Sequence, residues 1–113
     1  MNVSDKQQGE TSIVSISGSV DALTIDELVG VLDAAIAGGH TRIVGDLSEV
    51  DYMSSAGLRT ILSTLKACRS AGGDFRLAAP SEGVRSLLDM SGFASIVQIF
   101  DDVDAAVASF DGG

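Results

Sequence analysis

Strand and helix patterns alternate strictly along most of the chain, and this alternation is what most limits its possible folds. An apolar run at residues 43–47 indicates a strand buried on both faces, as in a parallel sheet. Further strands are predicted at residues 11–18, 75–79 and 96–100, with a weaker strand before a Gln8-Gly9-Glu10 turn. Because helical segments separate all but the first two strands, helical crossovers join the strands, which then run parallel.

Four helices are predicted from apolar residues at helical spacing and from their start signals. At the first start, Thr24 and Glu27 fit a capping box, in which the Thr24 hydroxyl accepts a hydrogen bond from the N–H of Glu27. The other three begin at Ser54, at Pro80-Ser81 and after Asp101-Asp102. We therefore predict one α/β domain over residues 1–113, with a mixed, mostly parallel sheet of four to five strands and about four helices.

Charge and composition exclude several classes of partner. Seven Lys and Arg against 16 Asp and Glu give a net charge of −9, which disfavours nucleic acid and anionic membranes. The acidity either keeps the protein soluble or steers it toward a basic protein partner.

No apolar stretch approaches the ~20 residues of a membrane span, and the single Cys68 favours a reducing compartment. We expect a cytoplasmic monomer that binds another protein.

The side chains that enzymes and metal sites use are scarce. The single histidine, His40, lies in a Gly-Gly-His-Thr turn, where a solvated role is usual. One histidine and one cysteine do not make a nitrogen/sulfur metal site, and Cys68 is expected to pack in the core. Nearby carboxylates lack the calcium-loop spacing and are better explained by helix capping: Asp101, Asp102 and Asp104. We expect no catalytic activity, no metal and no cofactor.

Residues 46–58, DLSEVDYMSSAGL, carry the most functional information. A buried strand ends near Leu47, and a helix opens with Ser54 and Ser55. In one interpretation a serine there is simply a favoured N-cap residue. In the other, one serine faces solvent at the carboxyl end of the sheet, where the contact sites of open α/β folds gather.

This segment resembles the signature of the STAS domain family, specifically that of the bacterial anti-sigma factor antagonists. In that family a strand ending in Asp-[Leu/Phe]-Ser leads to an aromatic residue, an aliphatic residue and then Asp/Ser-Ser-[Ser/Thr/Ala]-Gly-Leu. Residues 46–48 and 52–58 match this signature in order and spacing. Gly18-Ser19-Val20-Asp21 with Thr24 resembles the approach to the family's first helix, and residues 88–93 resemble its Asp-Met-Ser-Gly turn. The resemblance covers nearly the whole chain.

The resemblance implies a partner-switching function. An unphosphorylated antagonist binds an anti-sigma factor that is also a serine kinase, and the sigma factor is released. The kinase then phosphorylates the antagonist, the complex dissociates, and a PP2C-type phosphatase restores binding. Carried over by position, the phosphoacceptor is Ser55. Many antagonists have Asp where this chain has Ser54, which makes Ser54 the N-cap or the rival acceptor.

By position, the partner interface is predicted to include five residues: Asp21, Asp46, Ser54, Ala56 and Arg59. Turn and strand-end roles explain the two aspartates equally well. Arg59, one helical turn after Ser55, can shield a phosphate there. The alternative function is that of a STAS scaffold or accessory subunit, in a signalling complex or in lipid or anion transport, without regulated phosphorylation.

Overall fold

The computed structural model describes residues 1–111. Within them the elements are β1 (Asn2–Gln8), β2 (Thr11–Val20), α1 (Ile25–Ala37), β3 (Arg42–Met53), α2 (Ser55–Ser70), β4 (Asp74–Ala78), α3 (Glu82–Met90), β5 (Ile99–Phe100) and α4 (Val103–Asp111). The sheet order is β1-β2-β3-β4-β5, with β1 antiparallel to β2 and all other neighbours parallel. The predicted α/β fold is confirmed. The predicted domain range also includes Gly112 and Gly113, which lie outside the described residues.

Three helices cover one face of the sheet and one helix covers the other. Because alternate residues of a strand point to opposite faces, neighbouring residues of β3 contact different helices. Helices α1, α2 and α3 pack on one face, where Ile43 and Leu47 of β3 join the larger core. Helix α4 packs on the other face, where it buries Val44 together with Ile13, Ala78, Ala106 and Val107. Strand β3 is therefore covered on both sides, as the apolar run at residues 43–47 predicted.

Strand β3 has 12 residues and extends well beyond the five-residue apolar run. Its first half pairs with both β2 and β4, but after Asp46 only β2 accompanies it, as far as the Val20–Met53 pair. This second half has two register shifts and several exposed polar residues, which hide the strand pattern in the sequence. The extension carries the chain to the start of α2.

The predicted capping box at the start of α1 is wrong. The Thr24 hydroxyl donates to the carbonyl oxygen of Ser19 at 2.9 Å and accepts from the N–H of Asp21 at 3.0 Å. The N–H of Glu27 bonds to the Thr24 carbonyl oxygen instead, at 3.2 Å. Because the hydroxyl faces the preceding loop, Thr24 holds that loop closed and leaves the helix end uncapped by its side chain.

Strand β5 is shorter than predicted: it covers Ile99–Phe100 instead of residues 96–100. A 3₁₀ turn at Phe93–Ser95 precedes it. The N–H groups of Ile96 and Val97 both donate to the Phe93 carbonyl oxygen, at 3.0 and 2.9 Å, and so are not available to a sheet ladder. Among residues 1–111, no helix combines the length and apolarity needed to cross a bilayer.

Candidate functional site

The start of α2 is anchored to the end of β2. The N–H of Ser54 donates to the carbonyl oxygen of Val20 at 2.8 Å, and Met53 pairs with Val20 in the sheet. Asp21, which follows Val20, therefore lies beside the first residues of α2. Its side-chain oxygen Oδ1 accepts from the N–H groups of Leu23 and Thr24, at 2.9 and 3.2 Å, which orders the β2–α1 loop at this edge.

Gly57 allows the first turn of α2 to lie directly on the sheet edge. A Cβ atom at this position would be 2.7 Å from Cγ of Met53 and 3.0 Å from Cγ1 of Val20, both closer than normal packing permits. The glycine of the Ser-Ala-Gly sequence is thus required by this close packing. The same packing fixes where the side chain at position 55 emerges.

The two serines at this helix start have different access to solvent. Ser55 is the first residue of α2 and is exposed. Ser54 occupies the N-cap position, but its Oγ is buried and has no hydrogen-bond partner among residues 1–111. Ser54 is therefore an N-cap by position without a side-chain cap, and its hydroxyl is enclosed where that of Ser55 is accessible.

The amino end of α2 has helical N–H groups without intrahelical partners, and these form the positive end of the helix dipole. Its first intrahelical bond runs from the N–H of Leu58 to the carbonyl oxygen of Ser54, at 3.1 Å, and the preceding helical N–H groups lack such partners. Of the four helices within residues 1–111, α2 has no acidic residue in its first turn, whereas the other three have at least one. This helix end suits an anionic group.

Arg59 and Ala56 lie on the α1 side of Ser55. Both line a groove of about 380 Å³ between α1 and α2, together with Ile25 and Asp33. Arg59 is exposed and forms no ion pair with any carboxylate of residues 1–111. Its guanidinium is therefore available to a group placed near the start of α2.

Asp46 lies away from the start of α2. It is in register with Ser15 of β2 and with Ala78, the last residue of β4, and it points to the face that carries α4. Its Oδ1 accepts from the N–H of Ser48 at 3.0 Å. Seven strand positions separate it from Met53, a distance of roughly 20 Å at the usual rise. The structure thus brings Asp21, Ser54, Ser55, Ala56 and Arg59 together and leaves Asp46 apart.

A second groove, on the α3 side of Ser55, was not found from the sequence. It has a volume of about 450 Å³ and is lined by Asp51, Tyr52, Met53, Ser54, Ser55, Gly83, Val84 and Leu87. Tyr52 is 55% exposed, although it is a large aromatic residue. The one sequence signal for this groove was the aromatic position at residue 52 of the 52–58 signature. The residues that α3 contributes are too distant in sequence to be assigned to the groove without the structure.

The single cysteine and the single histidine lie apart from the start of α2. Cys68 is fully buried in the larger core. Burial raises the pKa of its thiol to about 11, with a further contribution from the negative charge of Asp74, so it stays protonated and unreactive at neutral pH. His40 is half-buried in the loop between α1 and β3. Residues 1–111 contain no group of three or more side chains that could hold a metal ion.

Sequence comparisons agree with this architecture. The model of the STAS domain matches residues 2–106. BtrV of Bordetella bronchiseptica, provisionally named an anti-sigma factor antagonist, is 36% identical over 98 residues, which cover 87% of this chain and 84% of BtrV. The anti-sigma-B factor antagonist of Bacillus subtilis is 33% identical over 102 residues, covering 88% of this chain and 92% of the relative.

Solved structures share the fold. A Thermotoga maritima protein, provisionally described as an anti-sigma factor antagonist, superimposes with a TM-score of 0.91 at 25% identity, covering 96% of this chain and 94% of that one. SpoIIAA, a Bacillus cell fate determinant solved in its phosphorylated form, superimposes with a TM-score of 0.75 at 19% identity, covering 96% and 98%. The resemblance expected from residues 46–58 is confirmed, and the chain belongs to the STAS domain family.

Proposed function

We propose that this chain is an anti-sigma factor antagonist, a cytoplasmic, monomeric and non-catalytic regulator that switches partners through phosphorylation of Ser55. The observation that carries the proposal is an exposed serine at the amino end of α2, within the signature of residues 52–58. The names of the Bordetella and Bacillus relatives point to the same function. The proposed partners are an anti-sigma factor with serine kinase activity and a PP2C-type phosphatase.

Solvent access supports Ser55 over Ser54 as the phosphoacceptor. A kinase must place the attacking hydroxyl in line with the γ-phosphate of its nucleotide. The Ser55 side chain projects from an exposed position, whereas Oγ of Ser54 is buried. Phosphorylation of Ser54 would first require its Oγ to leave the enclosed position that it has in the structure.

The structure around Ser55 also supports the view that the fold tolerates a phosphate on this residue. A phosphoserine adds about −1.5 to −2 charges, and the unpartnered N–H groups at the start of α2 can receive them. No first-turn carboxylate of α2 opposes the new charge. Arg59, unpaired within residues 1–111, is one turn away.

Release of the partner follows from the cost of burying the same phosphate in an interface. A dianion in a packed contact must lose its hydration and, in this chain of net charge −9, it lies near other carboxylates. A loss of ~3 kcal/mol weakens binding by about a hundredfold. We place the contact on Asp21, Ala56 and Arg59 around the two serines. Asp46 stays a separate prediction, since it lies on the other face.

The test measures binding to the serine kinases of the anti-sigma factor class encoded in the same genome, by calorimetry. Ser55→Ala is expected to bind as tightly as the unmodified chain, and Ser55→Asp about a hundredfold more weakly. Intact-mass and fragment measurements after incubation with the kinase and ATP should place one phosphate on Ser55. Ser54→Ala is the matched control and should still be phosphorylated.

Equal binding by Ser55→Ala and Ser55→Asp, together with no gain of mass in the presence of ATP, would contradict the switch. The chain would then act as a STAS scaffold or accessory subunit. Phosphate on Ser54 in the unmodified chain would retain the switch but reassign its acceptor.

A further inference from the structure

The groove on the α3 side of Ser55, here called the α3 groove, has largely apolar walls. Its floor is formed by Met53 and Val84, which are nearly fully buried. Tyr52, which is 55% exposed, and Leu87 of α3, which is half-buried, also line the groove. A large aromatic side chain with so much exposed surface beside a concave apolar floor is typical of the anchor points of protein interfaces.

Gly83 keeps the α3 groove open. It lies in the first turn of α3, and a Cβ atom at this position would meet nothing within 4 Å. Neither packing nor backbone conformation therefore requires a glycine here, and glycine is a poor residue for a helix. A side chain at position 83 would narrow the groove.

The charges around the α3 groove indicate the chemistry of its occupant. Asp51 is the one charged side chain among the lining residues within 1–111, and no cation lines the groove. Its carboxylate accepts from the hydroxyl of Ser19 at 3.1 Å and forms no ion pair within the same residues. An apolar side chain next to a cationic group complements these walls, and the net charge of −9 favours such a partner over an acidic one.

We propose that the α3 groove seats an apolar side chain of the protein partner that engages Ser55, with a neighbouring cationic group of that partner against Asp51. This inference rests on the proposed function and names the surface that the partner reads. Ser55 itself lines the groove. A phosphate on it occupies part of the groove and puts a strongly hydrated group beside the apolar walls, so the apolar side chain of the partner can no longer bind there.

Two matched substitutions test the α3 groove. Gly83→Arg fills the groove and places a positive charge near Asp51, whereas Gly30→Arg makes the same change of net charge on an exposed, open position of α1. Binding to the same anti-sigma factor kinase is measured by calorimetry. Gly83→Arg is expected to weaken binding at least about tenfold, and Gly30→Arg to stay within about twofold.

Tyr52 supplies an independent readout, because it is the one tyrosine of the chain. In the unmodified protein labelled with ¹³C at the ε carbons of tyrosine, the single ring signal is expected to shift when the kinase is added. An unshifted ring signal in the bound state overturns the proposal even if Gly83→Arg fails to fold.

The Ser55 variants separate the two proposals. If Ser55→Asp loses binding while Gly83→Arg binds like the unmodified chain, the switch stands and the α3 groove is not the seat. If Ser55→Asp also binds like the unmodified chain, the proposed function itself fails.

Discussion

At the scale of single residues, two N-cap serines of this chain behave differently. Ser54 before α2 has backbone angles φ −88° and ψ 175°, and Ser81 before α3 has φ −61° and ψ 162°. Although both backbones are extended, only the hydroxyl of Ser81 caps its helix, by accepting from the N–H of Val84 at 3.3 Å. The hydroxyl of Ser54 is buried without a partner among residues 1–111. The same residue type thus stabilises one helix start and leaves the other uncapped.

This difference predicts unequal effects of two identical substitutions. Ser81→Ala removes a cap hydrogen bond and should lower the free energy of unfolding by about 1 kcal/mol. Ser54→Ala removes no hydrogen bond and takes away a buried, unsatisfied hydroxyl, so its effect should stay within about 0.5 kcal/mol or be stabilising. Urea unfolding followed by circular dichroism measures both. An equal loss in the two variants would show that Ser54 does cap α2.

At the scale of elements, the residues before β3 and β4 lie so close together that only a glycine fits at position 73. The N–H of Asp74 donates to the carbonyl oxygen of Thr41 at 3.0 Å, which opens the β3–β4 ladder. A Cβ atom on Gly73 would lie only 2.0 Å from that same oxygen. Since the clash is with backbone, it cannot be relieved by rotating a side chain. The glycine allows α2 to end and β4 to begin beside β3.

Two glycine substitutions should therefore differ in sign. Gly73→Ala forces the two strand starts apart and should lower the free energy of unfolding by about 3 kcal/mol. Gly30→Ala, on the exposed side of α1 with no atom near the new methyl group, should raise it by about 0.5–1 kcal/mol through helix propensity. Thermal unfolding of the two variants provides the measurement. A neutral Gly73→Ala would mean that the strand starts are not held this closely.

At the scale of the whole molecule, the buried Asp74 connects the two faces of the sheet. Nε of Arg69 in α2 and Nε of Arg76 in β4 donate to its two carboxylate oxygens, at 2.9 and 3.1 Å. Arg69 also donates to the carbonyl oxygen of Ile96 before β5, and Arg76 to the hydroxyl of Ser109 in α4. One carboxylate thus joins a helix on each face to the same strand and to the loop before the edge strand.

Removal of the negative charge of Asp74 should destabilise the protein. Asp74→Asn leaves Arg76, which is itself largely buried, without its anion, and should lower the free energy of unfolding by about 3 kcal/mol. Glu10→Gln is the control, because the Glu10–Arg42 pair is exposed and 3.8 Å long. It should change stability by less than about 0.5 kcal/mol. Urea unfolding of both variants checks the contrast, and similar small losses would indicate that the Asp74 network does not hold the faces together.

The sequence by itself determined the order of the elements, the α/β class and the family, and it predicts Ser55 as the phosphoacceptor. These follow from local signals: the alternation of strand and helix patterns, the apolar run at residues 43–47, and the spacing within residues 46–58. Such signals are contained in short stretches of chain. They can therefore be interpreted without knowing which stretches of the chain contact one another.

Only the tertiary structure decided what surrounds each of these residues. It turned the Thr24 hydroxyl toward the β2–α1 loop, enclosed the hydroxyl of Ser54 while exposing Ser55, and put Asp46 on the face away from α2. It also brought Gly83 of α3 and Tyr52 into the lining of the same groove. The physical reason is that burial, hydrogen-bond partners and the side of a sheet depend on contacts between residues distant in sequence, which local propensity and periodicity do not contain.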